Sequence, residues 1–185
     1  MSEAKQRILE TAGKLFAERG YELVGINELI EKSGVAKATF YQHFRSKETL
    51  CFEWLQGEAW ESEKDALALL DSPLPPAEKI ARKFDGLRDH LKGSDYRGCP
   101  FSNTAAVMLN DNSVRALVDQ YKSATRLFWH SLALQVRREP SAARALGDAF
   151  FLLFSGAVTE AQNAKATWPV ESAKAAALAL CGKTA

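Results

Sequence analysis

The chain has 185 residues, 46% of them hydrophobic and 25% charged, with a formal net charge of +1. That make-up suits a globular protein with room for one good core, or for a small domain joined to a larger one, and it excludes binding to nucleic acid through bulk charge alone. No apolar run approaches the ~20 residues of a bilayer span, and the start MSEAKQRILE lacks the apolar stretch of a secretory signal. The expectation is a cytoplasmic protein without membrane contact.

The predicted elements are helical throughout, since runs with period-2 alternation and β-branched residues are missing. A first helix over residues 3–19 places Ile8, Ala12, Leu15 and Phe16 on one stripe, and Gly20 ends it in a left-handed C′ role. A short second helix runs from Ile26 to Ser33, with Gly25 as its N-cap and Glu28 as a partial capping box. Gly34 breaks it, and a third helix spans Ala36 or Lys37 to Phe44. Ser46 caps a fourth, which carries Glu48 in its first turn and continues to about Leu70.

The stretch DSPLPP at 71–76 is read as a loop, a fifth helix as about Ala77 to Leu91, and GSDYRG at 93–98 as another loop. Pro100 opens a short sixth helix, where proline at the first position loses nothing. After the turn NDN at 110–112, Ser113 caps a long seventh helix ending near Glu139-Pro140. Ser141 caps an eighth, and Trp168-Pro169 separates it from a ninth at about 170–181. The fold class is therefore all-α, with about nine helices.

The cysteines Cys51, Cys99 and Cys181 are odd in number and widely spaced, with no CxxC pair and no histidine at ligand spacing. Reduced thiols are expected, with no metal and no cofactor. Charge is informative only locally: Lys32, Lys37, Arg45 and Lys47 occur between residues 32 and 47 without one acid. Such a stretch is either a solvated face or a phosphate-facing one.

Residues 24–47 are the informative part. A helix of about eight residues, a tight turn at Gly34-Val35 and a second short helix make the pattern of a helix-turn-helix. The sharp reversal calls for glycine at 34, where a Cβ would hinder the required φ. Leu29, Ile30, Val35, Phe40 and Phe44 can bury with Phe16. Left outward on the third helix are Lys37, Thr39, Tyr41, Gln42 and His43. Such donors, acceptors and flat rings read base edges and phosphates in a major groove.

The segment VGINELIEKSGVAKATFYQHFRSKETL resembles the DNA-binding motif of the tetracycline-repressor (TetR) family. The matching features are an apolar-periodic first helix, Gly20-Tyr21, Gly34-Val35, the set Thr39, Tyr41, His43 and Phe44, and the closing Ser46, Lys47 and Glu48. The resemblance covers roughly residues 4–50 without a gap. It implies a homeodomain-like three-helix DNA-binding domain over residues 1–48, followed by a helical ligand-binding and dimerisation domain over 49–185. It also implies a DNA-binding regulator, in the usual case a ligand-responsive repressor and not an enzyme, acting as a homodimer on a palindrome of double-stranded DNA. One helix-turn-helix covers too few bases alone, so a twin subunit is expected, with half-sites about one helical turn (~34 Å) apart or a multiple of it.

Carried over residue by residue, the resemblance puts Lys37, Ala38 and Gln42 against base edges or the adjacent sugar-phosphate. Tyr41, His43 and Lys47 would grip phosphates, and Thr39 would sit beside the backbone or against a thymine methyl. Each has a plainer alternative: Tyr41 as a packing residue, His43 as a satisfied structural histidine, Lys47 as a solvated cation. The chain departs from the family pattern at the second helix, where Gly25 and Asn27 replace the usual hydroxyl residue and arginine. Asn27 is then a shorter base or phosphate contact.

The tract RGCPFSNTAAVML at 97–109 resembles the sixth helix of one branch of the family, which lines a pocket. An unidentified small-molecule inducer would then meet Cys99, Phe101, Asn103 and Thr104, with Phe84, Leu87, Tyr121, Thr125, Phe128 and Trp129 on neighbouring helices. An aromatic stripe at this spacing also reads as core. For the dimer interface the candidates are Phe150, Leu153, Gly156, Ala157, Glu160, Ala173 and Ala177, whose alternative is intramolecular packing. Cys99, just before Pro100 and near Arg97, is either a redox or electrophile sensor or a small residue closing the helix start. Two other classes stand against the regulator: an enzyme using Cys99 with His90 or His130, and a helical binding module that has lost DNA binding.

Overall fold

The computed structural model describes residues 2–108 and 110–182. Among these the fold is all-α: α1 (Glu3–Arg19), α2 (Ile26–Ser33), α3 (Lys37–His43), α4 (Lys47–Asp71), α5 (Pro76–Gly93), α6 (Pro100–Val107), α7 (Asn112–Val136), α8 (Pro140–Ala164) and α9 (Trp168–Gly182). Helix type and order follow the sequence reading, while several ends differ for local chemical reasons.

The N-cap of α7 is supplied by Asp111 rather than Ser113. Its Oδ1 accepts from the backbone N–H of Ser113 at 2.9 Å and of Val114 at 3.0 Å. For α8 the cap is Glu139 rather than Ser141: the Glu139 carboxylate accepts from Ser141 N, Ala142 N and the Ser141 hydroxyl. In both places a carboxylate stands before the serine, and a negative charge suits a helix N-terminus better than a hydroxyl does. Those bonds hold the Glu139 carboxyl below its usual range, the Ser141 side chain contributing most. No capping box forms at α2: Gly25 lacks a side-chain bond, and Glu28 pairs with Arg19 and Lys32. Gly20 ends α1 at φ 83°, ψ 160°, a region open essentially to glycine alone but not the left-handed helical one expected. Trp168 and Pro169 form the first turn of α9 instead of preceding it.

The chain divides into two compact units. The first comprises Met1–Glu61 with Pro100–Asp119, the second Ser62–Cys99 with Gln120–Ala185. In the first, α1, α2, α3 and the start of α4 fully bury Ile8, Leu29, Phe40, Phe44 and Leu50. Helix α6 belongs to this unit, with Phe101 and Thr104 buried and the Thr104 hydroxyl bonded to the Cys51 thiol. In the second unit Ile80, Phe84, Leu91, Trp129, Leu132 and Phe150 form the centre of one apolar cluster from α5, α7, α8 and α9. Lys79 is buried there, its Nζ donating to Leu70 O at the end of α4 (2.6 Å) and to Gln135 Oε1 (3.0 Å).

Helix α8 has a segment of mean hydropathy 1.3, enough by length and composition to pass for a membrane span, which the sequence reading did not foresee. One of its charges has partners on α7: Asp148 accepts two bonds from Arg126 (2.6 and 2.9 Å) and lies 2.7 Å from His130 Nε2. First the Arg126 guanidinium and then His130 hold the Asp148 carboxyl well below the ordinary carboxylate range.

Candidate nucleic-acid interface

The candidate reading element is α3, seven residues long and anchored by Phe40, which is fully buried. Phe44, one turn on, is equally buried, and the two rings lie 6.1 Å apart between centroids. With that side inside, Lys37, Ala38, Tyr41 and Gln42 are exposed, while Thr39 and His43 are half-buried. Asn27 on α2 is also exposed. Lys37 and Arg45 pair with no carboxylate among the described residues, so both cations remain available to an anion.

The turn before α3 has the geometry its sequence demands. Gly34 sits at φ 63°, ψ 28°, left-handed, and its N–H bonds Glu31 O at 3.1 Å. Arg7 closes the end of α2 from α1: one guanidinium nitrogen donates to Ser33 O at 2.7 Å and to Gly34 O at 2.8 Å. A Cβ at residue 34 would lie 2.9 Å from that same nitrogen, so glycine is needed for space as well as for φ. No sequence pattern announced Arg7, because its partners are 26 and 27 positions away and are backbone carbonyls of no particular residue type.

Lys47 is more than a surface cation. Its Nζ donates to Tyr21 O (3.0 Å) and Val24 O (3.1 Å) and lies 4.1 Å from the Tyr21 ring centroid. The Tyr21 hydroxyl in turn donates to Glu48 Oε1 at 2.9 Å. Burial, helped by that carboxylate, pushes the Tyr21 hydroxyl above its ordinary range. Bonding to Ser46 is the main cause that holds the Glu48 carboxyl low. Lys47 and Glu48 therefore fasten the start of α4 to the segment entering α2. His43 Nε2 lies 3.2 Å from Ser2 Oγ, and that oxygen also accepts from Lys5 N as the cap of α1. Lys47 and His43 thus have structural work besides any phosphate contact: for His43 that is the alternative left open, whereas Lys47 is not the solvated cation its alternative supposed.

The pocket candidates fall into both units. Phe84, Leu87, Phe128 and Trp129 are buried in the apolar cluster of the second, where Cys99, Tyr121 and Thr125 also lie. Phe101, Asn103 and Thr104 lie in the first. Cys99 Sγ is 3.7 Å from Lys122 Nζ, and His130 Nε2 is 2.7 Å from Asp148 Oδ1. Cys51 is buried, and desolvation pushes its thiol up to about 12, which leaves it unreactive.

Of the dimer candidates, Phe150, Ala157, Ala173 and Ala177 are buried within the protomer's own cluster and cannot offer their side chains outward while packed this way. Leu153 is half-buried, and Gly156 and Glu160 are exposed. The sequence reading had missed Leu152, 66% exposed on the same helix.

Comparison with known proteins agrees with this geometry. Residues 8–53 match the family model described as bacterial regulatory proteins, tetR family. The HTH-type transcriptional regulator YerO of Bacillus subtilis, itself uncharacterised, is 35% identical over 97 residues, covering 49% of this chain and 33% of its own length. The regulator SAB2452 of Staphylococcus aureus is 43% identical over 54 residues, 29% of each chain. The chain thus spans a third or less of the length of these relatives. A crystal structure of the regulatory protein TetR from Rhodobacter sphaeroides superposes with a TM-score of 0.83 at 20% identity, over 97% of this chain and 99% of that one, a likeness of fold. The helix-turn-helix and its flanks, residues 8–53, thus carry the match to the tetR family of bacterial regulatory proteins, and the chain shares the fold of the solved TetR structure.

Proposed function

We propose that the protein is a cytoplasmic transcriptional regulator that binds a palindromic operator as a homodimer, and that a small molecule received by the second unit weakens that binding. The observation that carries the reading is the exposed side of α3, with Lys37, Ala38, Tyr41 and Gln42 turned to solvent and not packed on the protein's own body. Gln42, with one donor and one acceptor group on its amide, suits the paired donor and acceptor of an adenine edge. Lys37 and Arg45 supply the phosphate attraction, and Asn27 a further polar contact from α2.

Dimerisation is supported by α8 and α9. Only 22% of the apolar window of α8 is buried within the protomer. Leu152, Gly156 and Thr159 stay exposed on α8, and Ser172, Ala176 and Ala179 on α9. Small residues let helices of a second copy approach closely, and covering such a face removes apolar surface from water. Ligand control then requires a molecule that binds the DNA-incompetent arrangement better than the competent one. A coupling of about 1–3 kcal/mol would weaken operator binding roughly 5- to 150-fold.

The test is selection of bound fragments from random duplex DNA, followed by anisotropy titration of the selected site over a salt series. A two-fold symmetric site bound with a steep salt slope is expected. Absence of duplex binding even in dilute buffer would overturn the reading.

A further inference from the structure

Helix α3 has little of its own to hold its direction. Of its seven residues Phe40 alone is fully buried, and α2 before it buries only Leu29 and Ser33. A helix with so few anchors takes its angle from the turn that leads into it. At 1.5 Å per residue α3 is about 10 Å long, so a rotation of about 10° at the turn moves its far end by roughly 2 Å. Hydrogen bonds to a base edge span only about 2.7–3.2 Å, so such a rotation breaks them.

Arg7 acts on that turn directly, because its Nη2 donates to both Ser33 O (2.7 Å) and Gly34 O (2.8 Å). The direction of a carbonyl fixes the plane of its peptide. The two bonds therefore set ψ at Ser33 and Gly34 and φ at Gly34 and Val35, the torsions of the reversal into α3. Both oxygens lie at the C-terminal end of α2, where carbonyls lack helical partners and carry the negative end of the dipole, so a cation binds them better than a neutral donor would. At the other end of α2, Arg19 of the same helix α1 donates to Leu23 O (2.7 Å) and pairs with Glu28 (2.5 Å). With α2 gripped at both ends by α1, the turn is the joint that remains to be set. Arg7 is itself exposed, so its rival role is a direct phosphate contact.

We infer that Arg7 is a positioning residue for sequence reading: by holding the Ser33 and Gly34 carbonyls it sets the angle at which α3 presents Lys37, Tyr41 and Gln42, without touching DNA itself. This deepens the DNA-binding reading above and rests on it.

The probes are the duplex recovered by selection and a copy altered at its most selective base pair, each titrated by anisotropy over a salt series, well below the melting temperature of the full chain used. Wild type should favour the selected duplex roughly tenfold, the discrimination of one bidentate base contact. Arg7→Ala should bind that duplex roughly tenfold more weakly and favour it less than about twofold, as expected when such a contact is lost, with the salt slope of wild type. Arg7→Lys keeps a cation able to bridge two carbonyls, as Lys47 does at Tyr21 O and Val24 O, and should recover most of the preference. Arg7→Gln, uncharged and with one amide donor group, should show reduced preference at the wild-type slope and carries the test should Arg7→Ala not fold. A residue that only stabilises the fold would lower melting and weaken both duplexes alike; an unchanged ratio between them overturns the inference. So does a slope smaller by about 0.9, the mark of one lost phosphate contact. No duplex bound by wild type sinks the DNA-binding reading and this inference with it, whereas discrimination by wild type that Arg7→Ala retains sinks only the role of Arg7.

Discussion

Lys47 shows how one side chain can serve two purposes with separable readouts. Its two bonds to Tyr21 O and Val24 O are worth about 1–2 kcal/mol together, by the usual net value of a charged hydrogen bond with an exposed acceptor. Lys47→Ala should therefore lower the melting temperature and weaken binding to every DNA sequence. Unchanged melting would show that those bonds contribute nothing. Gln42→Ala should leave melting alone and relax preference at one base position, and equal loss on all sequences would contradict a base-reading role. Tyr21 gives a pH test. Its folded value is raised above the unfolded ~10, so its contribution is fully present below pH ~10 and is lost as pH rises through the folded value. Denaturant titrations of wild type and Tyr21→Phe should differ by about 1 kcal/mol at pH 7 and converge in strong alkali. A difference that persists there would disprove the linkage.

At the scale of elements, the sequence predicts well what is periodic and poorly what is chosen among neighbours. Helices α1 to α3 were legible to within a residue, because Ile8, Ala12, Leu15 and Phe16 repeat at helical spacing and glycine marks the ends of α1 and α2. Caps were less legible. Ser113 and Ser141 have the right chemistry, but Asp111 and Glu139 stand two residues earlier and reach the same N–H groups with a full charge. Asp111→Ala should cost about 1 kcal/mol, and Ser113→Ala only a few tenths; chemical denaturation decides between them. The clamp by Arg7 was illegible, as any contact between a side chain and distant carbonyls must be. Gly34→Ala should cost about 1–2 kcal/mol for its left-handed backbone alone, and more because its Cβ meets Arg7. A neutral result would mean that the turn can be rebuilt without strain.

For the whole molecule, the all-α class and the helix count were readable, whereas the grouping was not. Helix α6 lies far along the chain from α1 to α3 yet folds in one unit with them, joined at Cys51 and Thr104. Local pattern carries no information about such a return. Which alanines face inward was hidden for a similar reason: they look alike in sequence whether they pack inside the protomer, as Ala157, Ala173 and Ala177 do, or stay exposed on it, as Ala176 and Ala179 do. Gly156 is the sharpest probe of assembly, since a Cβ there meets nothing within 4 Å in the protomer. Gly156→Leu should leave helical content intact by circular dichroism, shift sedimentation from dimer to monomer and sharply weaken operator binding. A dimer that persists would place the contact elsewhere.

The fastening of α2 by Arg7 has a consequence for control. With its turn pinned from α1 and the base of α4 tied down by Lys47, the proposed DNA-reading head is braced at both of these joints. In a pair of such heads, an inducer would act as a hand acts on calipers: the jaws keep their form, and only the gap between them is set.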